Sequence, residues 1–424
     1  MKKYLLAAVF VTVAGTVFAQ QSKIANMRGY DKSGINVFET PKSDTVVPFD
    51  EVKVRIGAGF TQQFQALKHT NNSTSTTPLY NLRSGFNLAT ANLNIDAQLA
   101  RGIRLNLISY LSARHHQETW VKGGFVQIDA SPVNSDLLNE VFKYVTVKIG
   151  HYEDNYGDAH FRRTDNGHAL YNPFIGNYIL DGFTTEIGAE IDFQKDGFLA
   201  VAAIHNGEIK GEISDNPTRN PSFIGKLGYD KQLNTDLRVR LTGSVYHNNG
   251  AASNTLYTGD RGGSRYYMVL EPLASGVTSI TNAWSGNIRP GFSRQVTAFM
   301  INPFLKYQGL ELFGTLEFAK GRAITEATKR DVNQLAIEGI YRFTKNEDLF
   351  VGLRYNTVKA DLLFGSATQT VKAERIQASA GWFITKNMVL KGEYVNQKYK
   401  DYPSNNLLSG GKFHGVMLEA SVGF

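Results

Sequence analysis

Apolar and polar residues alternate along most of the chain, in segments that run on for several pairs of positions. Between residues 51 and 66, for example, even positions such as Val54 and Ile56 are mostly apolar, whereas odd positions such as Lys53 and Arg55 are mostly polar. A period of two predicts β-strands, and a strand that crosses a membrane at a tilt needs roughly 9 to 11 residues. Strands of soluble sandwiches are usually only about five or six residues long. The pattern therefore favours a membrane-spanning β-barrel.

Sixteen such segments can be placed along the chain. They lie near residues 51–67, 86–99, 101–114, 119–130, 142–153, 182–194, 197–207, 219–231, 236–247, 293–308, 309–321, 332–345, 348–360, 371–385, 387–399 and 411–424. The connections between them alternate between short and long, as in outer-membrane barrels. The predicted fold class is all-β, a transmembrane antiparallel barrel of about sixteen strands with a water-filled polar interior.

Three connections need comment. His115–Glu118 is short where an external loop is expected, and Ala130–Val141 is long where a turn is expected, although residues 134–140 can form a short helix. The segment Ser264–Glu271 is a seventeenth strand candidate. We assign it to an external loop, because a further spanning strand would invert every later turn. Residues 361–370 are expected to be one of the longer connections.

Charge decides which face of each strand points inward. An Arg or Lys that faces lipid at mid-bilayer costs about 2 to 4 kcal/mol, so the charged face must line the interior and the apolar face must contact lipid. The basic residues predicted for the pore wall are Lys53, Arg55, Arg104, Lys148, Arg238, Arg240, Arg342, Arg354 and Arg375. Aromatic residues near strand ends, including Tyr229, Tyr341, Trp382 and Phe413, are expected at the outer membrane interfaces.

The first nineteen residues read as a cleavable signal peptide. Lys2 and Lys3 precede an apolar run that is too short to span a bilayer, and Val17 and Ala19 place small residues before a cleavage site after Ala19. We therefore divide the chain into a signal peptide (1–19), an N-terminal periplasmic leader or plug (20–50) and the barrel (51–424). The leader has no clear periodicity, so a flexible segment and a plug in the barrel mouth both remain open.

The remaining composition narrows the class further. The chain has no cysteine, which excludes disulfides, thiolate metal sites and cysteine nucleophiles. The net charge of +7 comes from 45 basic and 38 acidic residues that are interspersed, so no nucleic-acid partner is expected. The final segment alternates up to Phe424, and such an ending resembles the signal by which the barrel assembly machinery receives its substrates. These features predict the outer membrane of a Gram-negative bacterium.

The densest polar run lies at residues 150–168, at the start of the third external connection, residues 154–181. We expect this connection to fold inward and narrow the pore, with Asp158, His160, Arg162, Arg163 and Asp165 at the constriction. A metal site formed by His151, Glu153, Asp158 and His160 is an alternative, but its spacing matches no sharp ligand motif. A Ser/His/Asp hydrolase site is a further alternative, although no G-x-S-x-G motif is present.

Several stretches resemble a known family. Residues 147–150, the run Tyr156–Gly167, Tyr171–Phe174 and the opening Met27–Glu39 look like Bacteroidetes outer-membrane proteins grouped with the phosphate-selective porin O/P family. The resemblance implies a sixteen-stranded trimeric porin whose inward loops and basic lining conduct anions. Residues 154–181 depart from that pattern, because their acids outnumber their arginines and they contain no lysine ladder.

The sequence thus predicts a porin for passive diffusion of small hydrophilic solutes, with anions or phosphate as candidate solutes. This function needs no catalytic residue, cofactor or metal, and the expected partners are outer-membrane lipid, the solute and two further copies of the chain. The inward cations and acids are nearly balanced, so only a weak anion preference is expected. Two alternatives stay open, a barrel that serves as a scaffold in a surface complex and an outer-membrane lipid hydrolase.

Overall fold

The structure is a computed structural model, and it describes residues 24–40, 42, 48–111, 120–211, 213–259, 263–278 and 284–424. Within these residues, the regular structure is β apart from one short α-helix, α1 (Asp136–Val141), and 3-10 turns at Lys32–Gly34 and Ala159–Phe161. The strands are β1 (Lys53–Thr70), β2 (Gly85–Phe86), β3 (Thr90–Ala100), β4 (Ile103–Leu111), β5 (Trp120–Ile128), β6 (Val145–Glu153), β7 (Thr185–Lys195), β8 (Phe198–His205), β9 (Ser222–Gln232), β10 (Leu237–Asn248), β11 (Gln295–Tyr307), β12 (Leu310–Arg322), β13 (Arg330–Phe343), β14 (Leu349–Phe364), β15 (Ala367–Thr385), β16 (Met388–Lys400) and β17 (Lys412–Gly423).

The strands form one closed antiparallel sheet. From β3 onward each strand pairs with the next along the chain, and β1 closes the ring by pairing with β17 on one side and β3 on the other. The two-residue β2 pairs with β1 beside β3 and is not part of the wall. Sixteen strands therefore build the barrel, and the predicted fold class and strand count are confirmed.

The two faces of the wall have opposite character. In β1, Ile56 and Phe60 point outward and are 50% and 48% exposed, whereas Thr61 and Gln63 point inward and are each 1% exposed. Outward apolar and inward polar side chains are the arrangement of a membrane barrel, since the outer face contacts lipid.

Phe413 is an exception to our expectation for the aromatic residues. It shares its parity with inward residues of β17, is fully buried and packs on Tyr266 at 5.3 Å between ring centroids.

Short turns lie at one end of the barrel and long loops at the other. The β7–β8 turn shows why a turn can be short, because Lys195 pairs with Phe198 and leaves only Asp196 and Gly197 between the strands. Both turn residues have positive φ, 52° and 93°, as a type I′ hairpin turn requires. The longer connection at the same end contains α1, whose N-terminus is capped by the Ser135 side chain.

The loop end differs from expectation at one place. Residues 361–370 are not a long connection, because β14 and β15 continue until Phe364 pairs with Ala367 across a two-residue turn. The extended hairpin is stabilised where Phe364 packs edge-to-face against Tyr402 at 5.9 Å. The segment Ser264–Glu271 is not a strand, as expected, and His115–Glu118 lie outside the described residues.

Three segments fill much of the interior. They are the described part of the leader (residues 24–40 and 42), residues 154–184, which we call the inner loop, and the described residues between 249 and 294, which we call the second loop. Each contributes fully or nearly fully buried side chains, as at Phe38, Phe174 and Tyr266. Within the part of the chain that the structure describes, no helix is both long enough and apolar enough to cross a bilayer.

Candidate functional site

The inner loop is fixed to the wall at Asp158. This side chain is fully buried, and its carboxylate accepts hydrogen bonds from Arg240 Nε and Nη2, each at 2.8 Å, and from Thr242 Oγ1 at 2.8 Å. Burial would raise the pKa of Asp158, but Arg240 and Lys226 bring it well below its usual value. The carboxylate therefore stays ionised and serves as an anchor for the loop.

The two adjacent arginines of the inner loop have different partners. Arg163 donates through Nε and Nη2 to the two oxygens of Asp181, at 2.9 and 2.5 Å, and lies 4.1 Å from the centroid of the Phe183 ring. Arg162 lies nearer the wall, with Nη2 at 3.5 Å from Glu311 Oε2 and 3.6 Å from Glu338 Oε2. Both positive charges are matched by nearby carboxylates, so neither guanidinium presents an isolated charge.

On the side of β14 to β16, wall cations bind backbone carbonyls of the inner loop. Arg354 Nη1 donates to Gly176 O at 2.8 Å, and Arg375 donates to Asn177 O at 2.5 Å and to Gly286 O of the second loop at 2.8 Å. Lys391 Nζ donates to two further inner-loop carbonyls, at 2.8 and 3.0 Å. These cations supply hydrogen-bond donors to carbonyls of the two loops, some of which also accept from a glutamine side chain, as Gly286 O does from Gln397 at 2.9 Å. We call this region the packed side.

The leader lies in the end of the barrel that has the short turns. Glu39 is 8% exposed and accepts from Lys226 Nζ and Arg240 Nη2, each at 3.0 Å. Lys32 reaches the short turn before β14, where it pairs with Asp348 at 2.7 Å. The described part of the leader therefore contacts side chains of the wall and of a short turn.

A central cavity of about 210 Å³ lies between the inner loop, the leader and strands β3 to β7. Its charged lining contains the cations Arg28, Lys122, Lys148 and Arg163, the acids Glu39, Glu153, Asp165 and Glu190, and the histidines His151, His160 and His168. Four cations face four acids, so the lining is formally neutral when the histidines are neutral. We call the region around this cavity the open side.

Lys122 is the residue at this cavity that the sequence reasoning missed. The register between β4 and β5 shifts so that Ile108 pairs with Gly123 and Ser109 with Val121, which leaves Lys122 as an extra residue in a β-bulge. The bulge turns Lys122 inward against the parity of its strand. Its Nζ donates hydrogen bonds to Asp165 Oδ2, at 2.6 Å, and to Glu153 Oε1. Strict alternation would point Lys122 toward lipid, which is costly for a lysine. This conflict is the sequence feature that could have indicated the bulge.

Two inner-loop histidines border the cavity in neutral form. Burial lowers the pKa of His168 to about 4, and its Nε2 accepts a hydrogen bond from Asn94 Nδ2 at 2.7 Å. Burial also lowers the pKa of His160, whose Nδ1 lies 3.4 Å from Glu153. The alternative metal set does not converge, because Asp158 is held by Arg240 and His151 is directed to Thr185 at 3.0 Å.

Two wider cavities open at the short-turn end, beside the leader. The larger, of about 780 Å³, shares Phe38 and Glu39 with the central cavity, and its charged lining has five cations and three acids. The other, of about 680 Å³, has five cations and two acids. We call them the vestibules. At the opposite side, a small cavity of about 50 Å³ shares Lys122 and Thr185 with the central cavity.

The structure separates the predicted site residues into groups. Of the five constriction residues, His160, Arg163 and Asp165 line the central cavity, while Asp158 and Arg162 bind the wall. Among the predicted wall residues, Lys148 lines the central cavity and Arg238, Arg240 and Arg342 line the vestibules. The other five are held in ion pairs or loop contacts: Lys53 with Asp50, Arg55 with Asp96, Arg104 with Asp129, and Arg354 and Arg375 with loop carbonyls.

Comparison with known proteins finds no matching family model and no matching curated protein. Solved structures with the same fold are outer-membrane proteins. An anion-selective porin from Comamonas acidovorans is 13% identical with a TM-score of 0.53, over 88% of this chain and 100% of that chain. OprB from Pseudomonas putida is 11% identical with a TM-score of 0.53, over 88% and 94%. A trimer form of OmpT, an outer membrane protein of Vibrio cholerae, is 11% identical with a TM-score of 0.51, over 88% and 100%. At these identities the likeness establishes the fold alone, a closed sixteen-stranded antiparallel barrel of the kind found in outer-membrane proteins.

Proposed function

We propose that this chain is a porin of a Gram-negative outer membrane, through which small hydrophilic solutes diffuse passively with a weak preference for anions. Residues 1–19 direct its export and are removed, residues 20–50 act as a plug at the periplasmic end, and β17 presents the chain to the barrel assembly machinery. The working form is a homotrimer in outer-membrane lipid. Conduction of this kind requires no catalytic residue.

The observation that carries the proposal is the succession of cavities on the open side. A vestibule, the central cavity and the small outer cavity each share lining residues with the next one, Phe38 and Glu39 at one junction and Lys122 and Thr185 at the other. The proposed route therefore follows strands β3 to β8 and avoids the packed side. Its narrowest part lies near Lys122, where the volume falls to about 50 Å³.

Charge along this route supports a weak preference for anions over a dedicated phosphate site. Both vestibules carry more cations than acids, which raises the local concentration of anions at the short-turn end. The central cavity is formally neutral, and Lys122 and Lys148 are each paired with carboxylates there. Most vestibule cations are ion-paired, as Lys32 is with Asp348 and Lys306 with Glu347, so the excess of positive charge is small and the proposed preference is weak.

Planar-bilayer recording of the purified protein tests the proposal. We expect ohmic single-channel steps that are small for a sixteen-stranded barrel, and a reversal potential in a KCl gradient that favours chloride. Proteoliposomes should admit small sugars and phosphate. If the barrel shows no conductance and the proteoliposomes are impermeable, the porin proposal is wrong and the scaffold alternative is favoured. A preference for cations would refute only the proposed anion preference.

A further inference from the structure

Three potential metal ligands meet where the inner loop leaves the wall. Asp154 is the first residue after β6, Glu186 lies near the start of β7, and His205 ends β8. Their carboxylate oxygens and imidazole nitrogen lie within 4.8 Å of one another, and all three residues are buried. None of the three belongs to the charge pairs that hold the inner loop on the packed side.

Three polar atoms of the cluster have no hydrogen-bond partner among the described residues. They are the two carboxylate oxygens of Asp154 and the Nδ1 atom of His205, although these side chains are only 1% and 0% exposed. Nδ1 of His205 lies 3.2 Å from Asp154 Oδ1, so the unpaired atoms are directed at each other. Buried polar groups without partners are rare and costly, and one bound cation would satisfy all three atoms.

The surrounding residues orient the cluster as an outer ligand shell would. Glu186 accepts from Tyr246 Oη at 2.6 Å and from the Gly207 N–H at 3.1 Å. His205 Nε2 lies 2.9 Å from Tyr152 Oη, and when Nε2–H donates to that oxygen, the Nδ1 lone pair faces Asp154. Metal-binding histidines usually donate their second N–H in this way, which fixes the ring and the tautomer.

We propose that Asp154, Glu186 and His205 bind one divalent transition-metal ion of the zinc type. One imidazole and two carboxylates form a ligand set that Zn²⁺ accepts, with a fourth position left for water. Ca²⁺ and Mg²⁺ prefer all-oxygen sets with more ligands, so the imidazole selects against them. Two carboxylates and a neutral imidazole also supply the negative charge that a dication neutralises.

The position of the site gives the ion a structural role. Asp154 is the first residue of the inner loop, whereas Glu186 and His205 belong to the wall, so one ion would fasten the beginning of the loop to β7 and β8. The neighbours Tyr152, Glu153 and Thr185 line the central cavity, which gives the ion access from the lumen. Binding depends on these ligands alone, so its test is independent of whether the barrel conducts.

Zinc binding to the purified full-length protein tests the inference. After treatment with a chelator and dialysis, titration with ZnCl₂ followed by calorimetry should give one ion per chain. Asp154→Asn and His205→Asn should each weaken binding by about tenfold or more, since each removes a ligand. His247→Asn is the matched control, because His247 lies on β10 and its Nδ1 contacts Thr297 at 2.9 Å, outside the cluster.

Cobalt provides a measurement that does not depend on the folding of any variant. Co²⁺ bound to the unmodified protein should show the intense visible absorption of four-coordinate cobalt, and Zn²⁺ should remove it. The inference is overturned if the unmodified protein binds no stoichiometric Zn²⁺, if Co²⁺ gives only the weak spectrum of the hydrated ion, or if folded Asp154→Asn and His205→Asn proteins bind Zn²⁺ as tightly as the parent.

Discussion

The two sides of the lumen use arginine and lysine side chains in different ways. On the packed side, Arg354 and Arg375 bind backbone carbonyls of the loops, and Arg354 also pairs with Glu338 of the wall at 2.7 Å. On the open side, Lys122 and Lys148 form ion pairs with acids that line the central cavity. An inward cation in a barrel can thus fasten a loop to the wall when it binds loop carbonyls, or line the proposed route when its partners are acids of a cavity.

The largest effect should come from removing a cation on the packed side. Arg375→Ala leaves Asn177 O without its donor and removes one of the two donors to Gly286 O, where only Gln397 Nε2 remains, at 2.9 Å. Hydrogen bonds to charged groups contribute about 1.5 to 3 kcal/mol each. We expect the free energy of unfolding to fall by about 3 kcal/mol or more, which urea denaturation in detergent measures. Arg294→Ala is the control, because Arg294 also donates to two carbonyls, at 2.7 and 2.8 Å, but in a more exposed setting. Equal losses of unfolding free energy in the two variants would contradict the claim that buried loop contacts on the packed side are the more important ones.

Acidification should weaken the contact between the inner loop and the open side. Burial lowers the pKa of His168 to about 4, whereas an unfolded histidine titrates near 6.5. Between these values the unfolded state binds the extra proton, so stability is fully present above pH 6.5 and is lost as the pH falls toward 4. The slope contributed by this group is at most about 1.4 kcal/mol per pH unit.

The His168→Gln variant isolates that contribution. Its unfolding free energy should depend less steeply on pH between 6.5 and 4 than that of the parent, in paired urea titrations. Parallel pH profiles for the two proteins would show that His168 does not titrate in this window.

Much of the wall was predictable from the sequence, whereas the contents of the lumen were not. Alternation fixes the direction of each wall side chain, so the sixteen strands and the inward position of Arg104 or Arg375 follow from parity and the cost of a charge in lipid. Parity fails at a bulge, which is why Lys122 was missed. The inner loop has no period, and its buried contacts, such as Asp158 with Arg240, join residues far apart in sequence. Only the folded structure brings Asp154, Glu186 and His205 together.

On the open side, Lys122→Gln should change ion selectivity. The substitution removes the lysine that pairs with both Glu153 and Asp165, which leaves one more net negative charge at the narrowest part of the proposed route. We therefore expect the chloride-to-potassium permeability ratio to fall by about twofold or more. Reversal potentials in a KCl gradient measure the ratio. Lys320→Gln is the control, because Lys320 is exposed and 3.4 Å from Asp331. A ratio that is the same in both variants would place the route elsewhere.

The smallest effect should come from the vestibule. Burial lowers the pKa of Lys42 to about 8, so this vestibule residue loses its charge as the pH rises through that value. Anion preference should therefore decline slightly between pH 7 and 9, by less than about twofold because charges at a wide mouth are screened. Lys42→Gln should remove the part of this pH dependence that Lys42 contributes. An unchanged pH profile in the variant would exclude Lys42 as its source.

The most direct test of the account is the accessibility of single cysteines on the two sides of the lumen. The chain has no cysteine, so Thr185→Cys on the open side and Ser379→Cys on the packed side each introduce one thiol. Thr185 lines two of the linked cavities, whereas Ser379 is a buried inward residue of β15. A charged methanethiosulfonate reagent added during bilayer recording should reduce the current of the Thr185→Cys barrel by at least about half and leave the Ser379→Cys barrel unchanged. Reduction of the Ser379→Cys current with no effect at Thr185→Cys would contradict the proposed route.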